Sequence, residues 1–247
     1  MIEIKDKKLL ITYDKEADRA FKILKNFISK DKNRIILKKI AFQQNEKRKP
    51  VFYASDGIML AEYSPSYDVC LGQASDFFSN FQLDYKNVHI DKERGLIFCD
   101  VQDDCYPICS KLFKDFKKTY GVHIPDRKDF IEFLKSVIAK RKSSKRAFFI
   151  EISYNREMKT LLATTYIYDV IIEEHHEPRT KLVYTNLSQT EAKGYFDEGY
   201  TVKLSPKKLL TILKALKNGY TNFYFEKKDA QLYFEEDRMR YLLMPIF

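Results

Sequence analysis

The chain has 247 residues, 45% of them hydrophobic and 15% aromatic, which excludes a disordered chain and suits two domains of ordinary size. Lys and Arg number 44 against 35 Asp and Glu, so the formal net charge is +9 and a polyanionic partner, nucleic acid or an anionic membrane surface, is favoured. No run of about 18 apolar residues is present, and the start MIEIKDKKLLITYDKEADRAF carries acids and lacks the apolar core of a secretory leader, so a soluble, cytoplasmic protein is expected.

In chain order, the first pattern is a helix from Asp14 to Ser29, whose stripe of Ala17, Phe21, Leu24 and Ile28 faces a core while Lys15, Arg19, Lys22 and Asn26 fall opposite. Strand-like runs follow in RIILKKIAFQQ and PVFYASDG, the latter ending in a Ser-Asp-Gly turn. A short apolar pattern at Ser75 to Phe81 predicts another helix. The polar, basic stretch Lys114 to Gly121 precedes a restart of the pattern, and a domain boundary is placed near residue 118. In HIPDRKDFIEFLKSVIAKRK the apolar face is Phe130, Phe133, Leu134, Val137 and Ile138, with Lys128, Lys135 and Lys142 recurring every seven residues. The last helix is marked by Ser205 as N-cap, Pro206 in the first turn and Gly219 as a stop. Its stripe is Leu209, Ile212, Leu213 and Leu216, with Lys207, Thr211, Lys214 and Asn218 opposite, and the strand-like runs NFYFEK, QLYFEE and RYLLMPIF end the chain. An amphipathic helix followed by several short strands therefore recurs three times, as an internal duplication would produce.

Cys70, Cys99, Cys105 and Cys109 form no C-x-x-C pair and read as reduced, structural thiols. His175 and His176 in EEHHE are the one run resembling a metal cluster, but neighbours on a strand point to opposite faces, so no metal site and no cofactor are expected. A solvated outer face accounts for the lysines of any single helix. Their repetition on separate helices suggests a shared positive surface that attracts DNA phosphates without reading sequence. The plentiful Tyr and Phe lie in alternating strand patterns and are assigned to sheet packing rather than base stacking.

Two stretches carry a family resemblance. KKLLITYDKEADRAFKILKNFISKDKNRIILKKIAFQQ followed by FYASDGIMLAEY resembles the start of the middle domain of the bacterial replicative sliding clamp, the beta subunit of DNA polymerase III, with Ser55-Asp56-Gly57-Ile58-Met59-Leu60 at its T-D-G-H-R-L-type turn. GYTVKLSPKKLLTILKAL and RYLLMPIF resemble that family's final helix and its terminal Y-V-V-M-P-M-R-L-type strand. The resemblance covers nearly the whole chain. It implies an α+β DNA-clamp fold with two domains, 1–118 like the clamp's middle domain and 119–247 like its last, helices lining a ring and sheets outside. Family clamps close a six-domain ring, so two domains per chain imply a homotrimer. The implied function is that of a non-enzymatic processivity factor in DNA replication, encircling double-stranded DNA. The DNA-facing residues would be Lys15, Arg19, Lys22, Lys25, Lys128, Lys135, Lys142, Lys207 and Lys214. DNA polymerase and clamp loader would dock short linear peptides in a pocket of Leu37, Ser55, Gly57, Ile58, Met59 and Leu60 with Leu242, Leu243, Met244, Pro245 and Ile246. Ile58 and Met59 stand where the family has His and Arg, and Phe247 ends the chain where the family adds a basic residue, which implies a different peptide specificity. Residues 65–116 match least.

Two other readings compete. A clamp-like nucleic-acid or protein adaptor that closes no ring would share the basic helices. A metal-dependent nuclease could use Asp103-Asp104 or Glu235-Glu236-Asp237, but no Walker A, G-x-G-x-x-G, H-E-x-x-H or G-x-S-x-G motif is present.

Overall fold

A computed structural model describes residues 2–5, 8–12, 14–44, 49–66, 81–83, 89–91, 96–102, 106–141, 148–155, 160–171, 179–191, 193–194, 201–226 and 230–246. The elements are β1 (Ile2–Lys5), β2 (Lys8–Thr12), α1 (Lys15–Leu24), β3 (Ile40–Gln44), β4 (Pro50–Ser55), β5 (Met59–Tyr63), β6 (Phe81–Leu83), β7 (His89–Asp91), β8 (Leu96–Gln102) and α2 (Ser110–Lys114). They continue as β9 (Tyr120–Ile124), α3 (Lys128–Arg141), β10 (Phe148–Asn155), β11 (Thr160–Ile171), β12 (Arg179–Glu191), β13 (Lys193–Gly194), β14 (Thr201–Leu204), α4 (Pro206–Ala215), β15 (Thr221–Phe225), β16 (Leu232–Glu236) and β17 (Met239–Leu243). A strand, a helix and three strands thus recur in order as β2–α1–β3–β4–β5, β9–α3–β10–β11–β12 and β14–α4–β15–β16–β17.

The chain divides into two units, Met1–Phe116 with Glu235–Leu242, and Lys117–Phe234 with Leu243–Phe247. The second stretch of the first unit, 235–242, is a return that a simple division at 118 does not contain. In the first unit the strands lie in the order β1-β2-β8-β6-β3-β4-β5-β17, with β7 also paired to β8. The pairings within β1 to β8 are antiparallel, and Phe52↔Tyr63 and Ser55↔Leu60 set the β4–β5 register. Helix α1 starts because extended Asp14 accepts a bond from Ala17 N at 2.6 Å, and Glu16 and Asp18 suit the positive helix start. It buries Ala17, Ala20, Phe21, Ile23 and Leu24, with the Phe21 ring 5.1 Å from Phe52 on β4. Each large apolar side chain so buried contributes about 1.5–3 kcal/mol.

Helix α1 stops five residues short of the predicted Ser29. Asn26 N and Phe27 N bond back only three residues, to Ile23 O and Leu24 O, and Phe27 turns inward to stack on Tyr241 at 5.5 Å. The predicted strand RIILKKIAFQQ is likewise only half a strand. Ile36–Lys38 form a short 3-10 turn, closed by Leu37 N to Arg34 O and Lys38 N to Ile35 O, before β3 begins. Of the predicted helix at 75–81, Phe81 is in β6 and the rest lies outside the described residues.

In the second unit the strands order as β16-β15-β9-β13 and β12-β11-β10-β14. Helix α3 buries Phe130, Phe133, Leu134 and Val137, and α4, which packs on α3, buries Leu209, Leu210, Ile212 and Leu213. Ser205 occupies the N-cap with Pro206 behind it, but its side chain makes no capping bond. The helix ends at Ala215, earlier than Gly219 predicts, because Leu216 turns extended and its carbonyl accepts from the buried Arg127 Nη2 at 2.8 Å. Gly219 instead receives Arg127 N on its carbonyl.

Candidate partner-binding site and basic helix faces

The first unit builds a defined apolar corner around the turn between β4 and β5. Asp56 is buried, and its Oδ1 accepts from Ile58 N and Met59 N, both at 2.9 Å. Ser55 Oγ donates to Met59 O and accepts from Gly57 N. Those bonds force Gly57 to φ +90, a region that favours glycine. Its missing Cβ also makes room: a Cβ there would lie 2.2 Å from Arg34 Nη1 and 3.7 Å from Leu37 Cδ1. Arg34 Nη1 donates to Asp56 O at 2.8 Å, so the 3-10 turn carrying Leu37 is clasped onto the turn carrying Ile58. Met59 and Leu60 are buried, whereas Ile58 and Leu37 are half-buried at the surface. Leu242 is buried on β17, the strand beside β5.

Several residues that sequence patterns did not single out complete this corner. Tyr106 is buried, and burial, with Cys109 and Asp56 nearby, pushes its phenol above the usual range. Gln43 clamps the following loop, donating to Pro107 O at 2.9 Å and accepting from Cys109 N at 3.2 Å. Ile108 and Leu112 are thereby presented outward, 60% and 47% exposed. Arg34 could have been suspected from its place three residues before Leu37. Burial, with Glu62 nearby, pushes the Cys109 thiol up to about 12, which suits a structural thiol.

The remaining predicted site residues belong to the second unit. Leu243 is buried, Met244 is 40% exposed, and Pro245 and Ile246 are half-buried, with Ile246 N donating to Lys203 O at 2.8 Å to fix the tail.

The predicted DNA-facing residues differ in their surroundings. Lys15 and Lys25 are exposed on α1 and at its end, whereas Lys22 pairs with Asp18 at 2.7 Å and Arg19 is engaged with Glu236 at 3.4 Å. In the second unit Lys128, Lys207 and Lys214 are exposed, and Lys135 pairs with Glu132 at 2.5 Å. Lys142 lies outside the described residues, as do Cys70, Cys105, Asp103-Asp104 and the EEHHE run. Among the described residues no group of three His, Cys, Asp or Glu is placed to hold a metal ion, and no helix is long and apolar enough to cross a membrane.

This arrangement of repeated strand–helix–three-strand units is the sliding-clamp fold, shared with bacterial DNA polymerase III beta subunits. The Bartonella birtlesii DnaN sliding clamp bound to griselimycin superimposes with a TM-score of 0.67 at 14% identity, over 98% of this chain and 66% of that one. The Thermotoga maritima beta subunit gives 0.68 at 14%, over 99% and 66%. The Helicobacter pylori beta clamp bound to a DNA ligase peptide gives 0.65 at 16%, over 99% and 66%. The chain therefore spans about two thirds of the length of these structures. No family sequence model and no curated protein sequence matches it.

Proposed function

We propose that this protein is a DNA sliding clamp, a non-enzymatic processivity factor that encircles duplex DNA and holds a DNA polymerase and other partners on it. The observation that carries this reading is the sliding-clamp fold over 98–99% of the chain. The exposed lysines of α1, α3 and α4 support it, since each presents charge on the side opposite a buried stripe. With the chain two thirds as long as its structural neighbours, residues 1–118 and 119–247 serve as two clamp domains and three chains complete a six-domain ring. Enclosure, rather than tight binding, retains such a ring on DNA. Short peptides from the polymerase and from the clamp loader dock at Leu37, Ser55, Gly57, Ile58, Met59 and Leu60 together with Leu242, Leu243, Met244, Pro245 and Ile246; Arg34, which donates to Asp56 O, joins that set in our reading.

Light scattering across a dilution series tests the assembly, with a mass of three chains expected. A ring loaded on circular DNA should leave slowly and should run off the same DNA once it is linearised. Equal loss from circular and linear DNA would reject the clamp, and a monomer at every concentration would favour an adaptor. Met244→Asp places a charge on an exposed apolar position of the tail and should weaken peptide binding without altering the assembled mass; unchanged affinity would reject the assigned pocket.

A further inference from the structure

We infer that the face of β9 and β15 turned away from the core of the second unit binds single-stranded nucleic acid, with Tyr220 and His123 as its stacking surface. The two strands bury Val122, Ile124, Phe223 and Phe225, and so turn Gly121, His123, Asn222 and Tyr224 to the other face. The register sets Asn222 opposite His123, and Tyr224 opposite both Gly121 and Tyr233. Tyr224 lies across Gly121, where an added Cβ would stand 3.2 Å from its ring. Tyr220, one residue before β15, is 45% exposed, and its ring centre is 5.6 Å from that of His123.

Both rings are held in place. Asn218 Nδ2 donates to the Tyr220 hydroxyl at 3.2 Å, and His123 Nδ1 and Asn222 Oδ1 are 2.7 Å apart. The turn that carries Tyr220 is anchored by Arg127, whose N–H donates to Gly219 O at 3.1 Å and whose guanidinium donates to Leu216 O. A ring kept exposed by a fixed turn needs little further ordering when a flat ligand covers it.

Charge and shape together select the ligand. Lys118 Nζ stands over the Tyr224 and Tyr233 rings at 5.1 and 4.9 Å, Lys117 precedes it, and Lys217 lies three residues before Tyr220; all three lysines are exposed. β9 and β15 contain no acid, and the acids that flank them are engaged, Asp126 accepting from Lys128 N and Glu226 from Lys117 N. A duplex would satisfy the lysines but keep its bases stacked on one another, and an acidic peptide would leave the two rings without a flat partner. An unpaired strand offers phosphates to the lysines and bases to Tyr220 and His123. Sheet faces bearing aromatic side chains are a recurring platform for such strands.

The test uses the full-length protein with a fluorescein-labelled oligothymidine about 12 nucleotides long, within the usual span of a single-strand site, and a blunt duplex of the same length. Tyr220→Ser should weaken single-strand binding about tenfold without changing its salt slope, since no charge is removed, and should leave duplex binding and circular dichroism as in the parent. Tyr220→Phe keeps the ring and should restore the affinity. Lys118→Gln should instead flatten the slope of log affinity against log salt by about 0.7. In the unsubstituted protein, an oligonucleotide carrying iododeoxyuridine should photocrosslink to the peptides bearing Tyr220 or His123. Crosslinks confined to other peptides, an unchanged affinity in Tyr220→Ser, an equal loss for strand and duplex, or no binding of the single strand would each overturn the inference. So would polyglutamate that displaces the oligonucleotide through Tyr220, which would assign the face to an acidic protein partner. The face belongs to the second unit and needs no ring, so a monomer that passes these tests keeps the site while the clamp reading falls.

Discussion

Glu62 on β5 and Arg240 on β17, 178 positions apart, form an ion pair inside the first unit, with the glutamate 0% exposed and accepting from the Arg240 guanidinium. Ser64 Oγ and the Tyr53 hydroxyl also hydrogen bond to that carboxylate, and the guanidinium lies over the Phe113 ring at 4.8 Å. Arg240→Met should leave a buried carboxylate without its cation and cost about 2–4 kcal/mol in urea unfolding. Adding Glu62→Gln should recover part of that loss. Strictly additive effects in the double-mutant cycle would show that the pair is not coupled.

Gly57→Ala should destabilise the protein by about 1–3 kcal/mol, since φ +90 strains any L side chain and the new methyl group meets Arg34. Displacing Arg34 also frees the turn bearing Leu37, so peptide affinity should fall with stability. Urea midpoints and fluorescence polarisation on the same sample check both; an unchanged midpoint would mean that the turn relaxes without cost.

Stability should decline in alkaline solution. Burial raises the hydroxyls of Tyr53, Tyr106 and Tyr241 from 10.0 and the Cys109 thiol from 9.0, so the folded state keeps protons that the unfolded chain releases. The stabilisation is complete below pH 9 and is lost as pH rises, first through Cys109 and then, above 10, through the tyrosines. Each group adds a slope of about 1.4 kcal/mol per pH unit above its unfolded value. Urea unfolding from pH 7 to 11 should show this fall, and iodoacetamide at pH 8 should spare Cys109 until the protein is unfolded. Rapid labelling of native Cys109 would contradict its burial.

Lys15→Glu, Lys128→Glu and Lys207→Glu test the helix faces. Each should weaken binding to a short duplex irrespective of its sequence and flatten the dependence of log affinity on log salt by about 0.9 for every phosphate no longer neutralised. A salt slope identical to the parent's would remove these faces from the DNA surface.

The three long helices were legible in the sequence because each carries a 3.6-residue apolar stripe, and the buried Phe21, Leu134 and Leu213 sit where that period puts them. Helix ends were harder. Phe27 and Arg127 end or redirect their segments through partners at Tyr241 and Leu216, and pairings that distant leave no local mark. RIILKKIAFQQ shows the same limit, since β-branched residues favour a strand while the bonds that close the Ile36–Lys38 turn favour a bend. At the candidate site, Ser55, Asp56 and Gly57 announced a turn by composition. Tyr106 did not announce its place beside it, because its role depends on where β4 brings that turn.

Residues 235–242 return to the first unit, and their ion pairs reach back to Arg19, Glu16 and Glu62. During synthesis, then, the ribosome must deliver Lys117–Phe234 before the first unit can acquire its closing strand. The nascent first half waits with β5 unpaired on that side, an edge that a chaperone or a neighbouring chain could occupy in the interval. A premature stop before residue 235 would therefore damage the first unit, which is made before the second.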